Sequence, residues 1–199
     1  MPLASVSENY ALDQLGTNKL LYASLHSAYS ATGTNEVSGG SYARQAATWS
    51  AASGGSKSLT TTLPSFSVPA STTVEYIGFW DALTVGNFQG MFPNGGGTVY
   101  TFTATTASST FTASGSGLSN NTTVTIFPTA GSTTPGGFTA GNLYYVVSAS
   151  TDTFKLSATS GGSAVTVTAD GSGIVQLLTP ETFGSSGTFA ISSGAITLT

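Results

Sequence analysis

The chain has no cysteine among its 199 residues. Disulfides and thiolate metal sites are therefore excluded, and the redox compartment stays open. Histidine occurs once, at His26, so a zinc site would have to be completed by carboxylates, which are also scarce. Only 12 residues carry a charge. Active sites are usually built from carboxylates, imidazoles, thiols and amines, so this poverty points to binding or scaffolding and away from catalysis. Four of the charges are basic, Lys19, Arg44, Lys57 and Lys155, and they are scattered. Without a basic tract to neutralise phosphates, a nucleic-acid partner is not expected. No apolar run approaches about 18 residues and no basic leader precedes one, so neither a membrane span nor an ordinary secretory signal is expected.

Ser and Thr take the place of charge and together number 64. Hydrophobic residues still make up 39%, with 11 Phe, 8 Tyr and 2 Trp, which is enough to build a core and argues against disorder. The surface of a free soluble monomer is normally about 25–35% charged. Here either hydroxyls coat the surface or partners cover it.

The texture changes along the chain. Residues 5–15 are the one helical candidate, with Ser5 or Ser7 as cap, Glu8 at the capping-box position if Ser5 caps, and Gly16 as terminator. Leu20 to Leu25 reads as a strand and Ser27 to Ser41 as a long loop. Tyr42 to Trp49, Ser58 to Leu63, Ser65 to Val68, Thr73 to Trp80 and Phe88 to Phe92 read as β segments punctuated by Pro64 and Pro69. Beyond Gly95-Gly96-Gly97 the runs Thr98–Ala104, Thr122–Phe127, Leu143–Ser148, Phe154–Ala158, Ala164–Thr168 and Gly173–Leu178 suit a small sandwich or barrel with threonine on its wet faces. A weak echo links Thr110-Phe111 to Thr153-Phe154 and Val124-Thr125 to Val167-Thr168. Phe183 to Ile191 and Ala195 to Leu198 read as a closing hairpin. With so few charges along its strands, exposed edges invite pairing with other chains, and an assembled state would cover them.

Residues 20–50, above all Leu25-His26 and Gly33-Thr34-Asn35-Glu36-Val37-Ser38-Gly39-Gly40-Ser41-Tyr42-Ala43-Arg44-Gln45, resemble a family of small structural proteins of tailed bacteriophages, labelled tail-fibre-like or minor virion proteins. Val68-Pro69-Ala70, Ile77-Gly78-Phe79-Trp80-Asp81-Ala82 and the ending from Glu181-Thr182-Phe183 through Ile196-Thr197-Leu198 carry the same resemblance. Within the interior, Thr110 to Ala113, Gly117-Leu118-Ser119, Tyr144 to Val147 and Asp152 to Ser157 are instead similar to a small β module that recurs in phage surface and tail proteins. Together with the change of texture, the resemblance implies an all-β fold in two parts. Residues 1–97 plus 179–199 form an antiparallel sandwich or barrel-like base with one short N-terminal helix, and residues 98–178 form a second small β domain inserted at a Gly-rich loop tip. The base is expected to dock and the insert to project.

Individual residues carry competing readings. Glu36 and Arg44 stand out among scarce charges, either as an ion pair fixing the intervening loop or as contacts to an adjoining subunit. Tyr42, Trp49, Phe79 and Trp80 are core aromatics or, for one or two of them, subunit contacts. His26 is read as a hydrogen-bonded residue orienting the next loop. A triplet of Ser24 or Ser27 with His26 and Asp13 or Asp81 is the kind of coincidence a Ser-rich chain produces, and no nucleophile-elbow sequence supports it. The glycine pairs lack the lysine and spacing of a phosphate loop, and Asp152, Asp170 and Glu181 do not make a calcium loop. Tyr144 and Tyr145 are candidate ligand-facing aromatics. No cofactor is expected.

The leading expectation is a non-enzymatic structural protein of a bacteriophage particle, assembled in the bacterial cytoplasm and carried on the virion surface as a head decoration or short appendage. Its partners would be the major capsid or tail proteins and further copies of itself, a trimer being favoured. The alternatives are a tail-tip or tail-fibre component, or a module whose tyrosines bind host surface glycan. A polysaccharide-cleaving enzyme would need two spaced carboxylates in a cleft, for which Asp152 and Asp170 are the only nearby pair in the insert.

Overall fold

The computed structural model describes residues 4–60 and 63–198. In chain order they form helix α1 (Ser5–Asn18) and strands β1 (Tyr22–His26), β2 (Gln45–Ala46), β3 (Ser56–Ser58), β4 (Ser65–Val68), β5 (Thr72–Val74), β6 (Tyr76–Trp80) and β7 (Phe88–Pro93). The chain continues through β8 (Tyr100–Thr105), β9 (Thr110–Thr112), β10 (Thr123–Phe127), β11 (Tyr144–Val147), β12 (Thr153–Ser157) and β13 (Gly171–Leu177). It ends with β14 (Glu181–Phe183), β15 (Gly187–Ala190) and β16 (Ala195–Thr197). Two compact units result, Met1–Phe92 with Glu181–Thr199, and Pro93–Pro180.

The Pro93–Pro180 unit is a closed antiparallel barrel in the order β10-β11-β12-β9-β8-β13. Period-two alternation drives it: along β8, Phe102 and Ala104 point inward while Thr101, Thr103 and Thr105 face out. Phe102, Phe111, Ile126, Val146, Phe154, Leu156 and Val175 fill the interior. Phe111 is its centre, stacked on Phe154 at 5.5 Å and packed on Phe102 and Phe138, each at 5.1 Å. The echo noticed in sequence includes this contact, since Phe111 lies directly opposite Phe154 in the β9–β12 pair. Its second half has no such meaning, because Val124 lies on β10 whereas Val167 belongs to no strand.

The expected strand at Ala164–Thr168 does not form. Its amides go to unrelated acceptors: Val165 N to Leu156 O (2.8 Å), Val167 N to Ser109 Oγ (3.1 Å) and Thr168 N to Gly136 O (2.9 Å). Val167 is buried all the same, so the alternation reflects burial of an irregular segment and not a ladder.

The other unit contains a four-stranded antiparallel sheet, β2-β1-β6-β7, and three two-stranded ribbons, β3–β16, β4–β15 and β5–β14. The closed barrel is thus in the second unit, and this one has open sheets. Residues 181–197 do not fold on themselves as the expected closing hairpin. They run back along residues 56–74, strand by strand: Glu181 opposes Val74, Phe189 opposes Phe66 and Ile196 opposes Lys57. Phe66, Val68, Val74, Phe189 and Ile191 join Ala23, Leu25 and Phe79 in a single core, which explains why the ending seeks partners more than a hundred residues away in sequence.

Other boundaries also shift. The expected β segment Tyr42–Trp49 reduces to Gln45–Ala46, and Thr73–Trp80 breaks at Glu75, whose N–H donates to His26 O (2.9 Å). Of the expected strand Ser58–Leu63, Thr61 and Thr62 lie outside the described residues. Helix α1 has no side-chain cap: Ala4 is the N-cap, and Ser5 is the first helical residue. Gly16 does not end the helix but lies buried inside it. A Cβ there would collide with Lys57 Cε and press on Trp49, so this glycine serves close packing instead of termination. The helix is fastened to β3 and the turn before it through Asp13, which pairs with Lys57 Nζ and accepts from Ala52 N (2.9 Å).

Candidate functional site

The register of β1 against β6 builds a polar layer from sequence upward. Ala23 faces Phe79 and Leu25 faces Ile77, and these line the apolar core. Alternation therefore places Ser24, His26, Tyr76, Gly78 and Trp80 on the opposite face. Gly78 stands directly across from Ser24, and a side chain on it would collide with His26 Nε2 and Ser24 Oγ. The space it leaves admits a hydrogen-bonded chain. His26 Nδ1 lies 3.0 Å from Thr34 O, an acceptor only, so that nitrogen carries the proton. Its Nε2 then accepts from Ser24 Oγ (2.8 Å), which itself accepts from Trp80 Nε1 (2.9 Å).

His26 is fully buried, and that burial holds its pKa below the ordinary imidazole value despite the Thr34 carbonyl and Glu36 nearby. The neutral ring orders the following loop, which returns through a bridge between His26 and Glu36. Ser24 and His26 do meet, but Ser24 is fully buried too, and Asp13 and Asp81 are bonded elsewhere, to Lys57 and Asn87. A backbone carbonyl occupies the orienting position, so the geometry of a nucleophile–base pair serves a structural chain here.

Arg44 is the centre of a second network that shares Trp80. Its Nη2 and Nε reach the Glu36 carboxylate at 2.8 Å and 3.0 Å, a side-on pairing. Its Nη1 donates to the carbonyls of Ala82 (3.1 Å) and Val85 (2.8 Å), and its guanidinium lies 3.6 Å above the Trp80 ring. The side chains are 11% and 21% exposed for Arg44 and Glu36. Tyr42 completes the cluster, donating its hydroxyl to Glu36 Oε1 (3.3 Å) and accepting from Leu25 N (2.8 Å). Burial, chiefly, raises the Tyr42 pKa far above its ordinary value, so it remains a phenol. Thus Glu36, Tyr42, Arg44 and Trp80 converge, and together they hold the segment between β6 and β7.

Residues 13–93 match the family model described as Podophage GP4 fiber I protein gp80. The similarity covers the residues of both networks and ends where the second unit begins, leaving the barrel and β14–β16 outside it. It supports a general structural role in a phage particle. No curated protein and no solved structure matches the chain.

The remaining candidates lie elsewhere. Trp49 is half-buried, donates to Leu20 O (2.8 Å) and packs on Phe79 at 5.5 Å. Tyr144 points into the barrel, where its ring meets Phe138 at 5.3 Å and its hydroxyl accepts from Thr139 N (2.9 Å). It therefore does not face a ligand in solvent, whereas Tyr145, one residue on, lies half-buried on the outer face. Asp152 and Asp170 each accept from a loop amide, Gly115 N and Thr106 N, both at 2.7 Å. Among the described residues no three His, Cys, Asp or Glu side chains gather to hold a metal, and no helix is long and apolar enough to cross a membrane. Sequence reasoning passed over the Asp81–Asn87 segment that Arg44 holds. Its only signal was an Asp and an Asn bracketing a short span with a glycine, an ordinary turn mark.

Proposed function

We propose that the chain is a structural component of a phage fibre or fibre-like surface appendage, with attachment made by the unit of residues 4–92 and 181–198. The observation that carries this reading is the match of residues 13–93 to a podophage fibre family. The matched stretch contains Glu36, Tyr42, Arg44 and Trp80, whose polar contacts fix loops. Fixed loops favour docking because less ordering entropy is lost on contact. Similarity to a fibre family favours an appendage over a head decoration. Copies of the chain act together, as a trimer, and the charge-poor two-stranded ribbons support assembly. The barrel, with its coat of threonine, is the part presented to the surroundings.

Electron microscopy of particles labelled with antibody to the barrel tests this reading. Label at the tail or on thin appendages is the expected result. Label evenly over the capsid would replace it with a decoration role, and unlabelled particles would remove it.

A further inference from the structure

The loop Asp81–Asn87 joins β6 to β7 and is fastened at both ends and in the middle. Asp81 Oδ1 accepts from Asn87 N (2.7 Å) and Oδ2 from Asn87 Nδ2 (2.8 Å), while Arg44 grips Ala82 O and Val85 O from beneath. The result is a rigid turn whose apolar side chains point outward: Leu83 is 49% exposed and Val85 86%. Val85 also has φ +60°, a left-handed conformation that a β-branched residue rarely adopts. Glycine or asparagine would fit that backbone with less strain and suit water better. A residue matched to neither its backbone nor its solvent, held by the chain's sole arginine, is accounted for by an apolar contact outside the chain.

On the footing of the particle role proposed above, we infer that Leu83 and Val85 form a preformed plug that seats in an uncharged apolar socket on another structural protein of the particle. Three observations select this occupant. The plug lies inside the stretch similar to a fibre family. Two aliphatic side chains cover a small fraction of the roughly 1,200–2,000 Å² that a stable solution dimer buries, so the plug fits repeated sites on a preassembled lattice better than a free second copy. The one charge on the loop is Asp81, Arg44 is consumed by Glu36 and the loop carbonyls, and Lys19 near Asp81 is a single cation, short of the basic cluster that anionic lipid recruits.

The test uses purified particles assembled without this chain, incubated with the purified full-length protein. Val85→Gly relieves the backbone strain, so its thermal midpoint is expected to equal or exceed that of the wild type while particle binding falls about tenfold or more. Leu83→Ser, equally folded, is expected to lose binding in the same direction. A photo-crosslinking side chain at position 85 is expected to join a particle protein other than this chain. The plug is overturned if Val85→Gly binds with a smaller loss than that, if the crosslink joins two copies of this chain, or if phosphatidylethanolamine–phosphatidylglycerol vesicles bind the wild type and not the variant. Failure of the wild type to bind particles would remove the particle role and the plug together. Wild-type binding with an unaffected Val85→Gly variant would remove the plug alone.

Discussion

The two units solve the problem of a charge-poor β surface in opposite ways. The barrel joins its first-numbered strand to its last and so leaves no edge. It needs little else: its charges are only Asp152, Lys155 and Asp170, and its core is built from aromatic and aliphatic side chains in alternation. The other unit keeps open edges on a four-stranded sheet and three ribbons, and both ion pairs found among the described residues, Glu36–Arg44 and Asp13–Lys57, lie in it. Closure makes specificity unnecessary, whereas an open sheet has to be told which loops to hold and which edges to offer. Charged side chains are concentrated where geometry alone does not decide the outcome.

The sharpest way to break this contrast is to end the chain after Pro180. The first unit then loses three strand partners together with Phe189 and Ile191 from its core. Burial losses of about 2–5 kcal/mol for each such side chain rival a domain's total stability of about 5–15 kcal/mol. The expected outcome is an unfolded first unit beside an intact barrel, read by NMR as dispersed signals from residues 93–180 alone. Dispersed signals from both units would mean that the ribbons contribute little.

The reciprocal variant is Phe111→Ala. Phe111 touches three other aromatic rings and is fully buried, so a loss of about 3–5 kcal/mol is expected, confined to the barrel's transition in denaturant. A single transition in which both units fall together would show that they are coupled.

How much of this was legible beforehand follows the same division. In the barrel, β8, β10, β11, β12 and β13 announce themselves as runs of β-branched and aromatic residues, and in β8 and β11 the enclosed interior imposes alternation as well, as in Phe102 and Ala104 between threonines. The exception, Ala164–Thr168, shows that alternation records burial and not hydrogen bonding. In the open unit, Ser65–Val68 was readable, but its partner was not: nothing local tells Phe189 to oppose Phe66. The same holds for the site. Scarcity drew attention to Glu36 and Arg44, while Arg44's contacts to Ala82 and Val85 depend on the β1–β6 register, which places Trp80 beneath the guanidinium. Gly16 misled because its reason lies in Lys57, distant in sequence.

Within the open unit, the Arg44 network is the feature the barrel lacks. Arg44→Ala leaves the half-buried Glu36 carboxylate without its counter-charge, holding only the Tyr42 hydroxyl, and frees two loop carbonyls. Breaking a fully buried pair costs about 3–5 kcal/mol, and partial exposure here lowers the expectation to about 2–4 kcal/mol. Arg44→Lys is expected to recover only a minor part, because an ammonium can neither pair side-on with the carboxylate nor lie flat on Trp80. Full recovery by lysine, measured as the first unit's unfolding free energy, would show that charge alone matters.

The smallest expected effect separates the units by pH. His26, the chain's sole histidine, is buried neutral in the first unit, with its folded pKa held below the ordinary value of 6.5. Between those two values the unfolded chain binds a proton that the folded chain does not. Stability therefore rises with pH in that window: the contribution is complete above about 6.5 and is lost as pH falls toward the folded value, with a slope of at most about 1.4 kcal/mol per pH unit for one group. The first unit's midpoint is expected to drop on acidification from pH 7 to 5, while the barrel, which contains no histidine, holds steady over the same range. His26→Gln, whose amide retains a donor and an acceptor, is expected to flatten the slope in the first unit. An unchanged slope in that variant would remove His26 as the source of the acid sensitivity, and Glu75 could not replace it, because burial raises its pKa and a raised carboxyl pKa favours the folded state as pH falls.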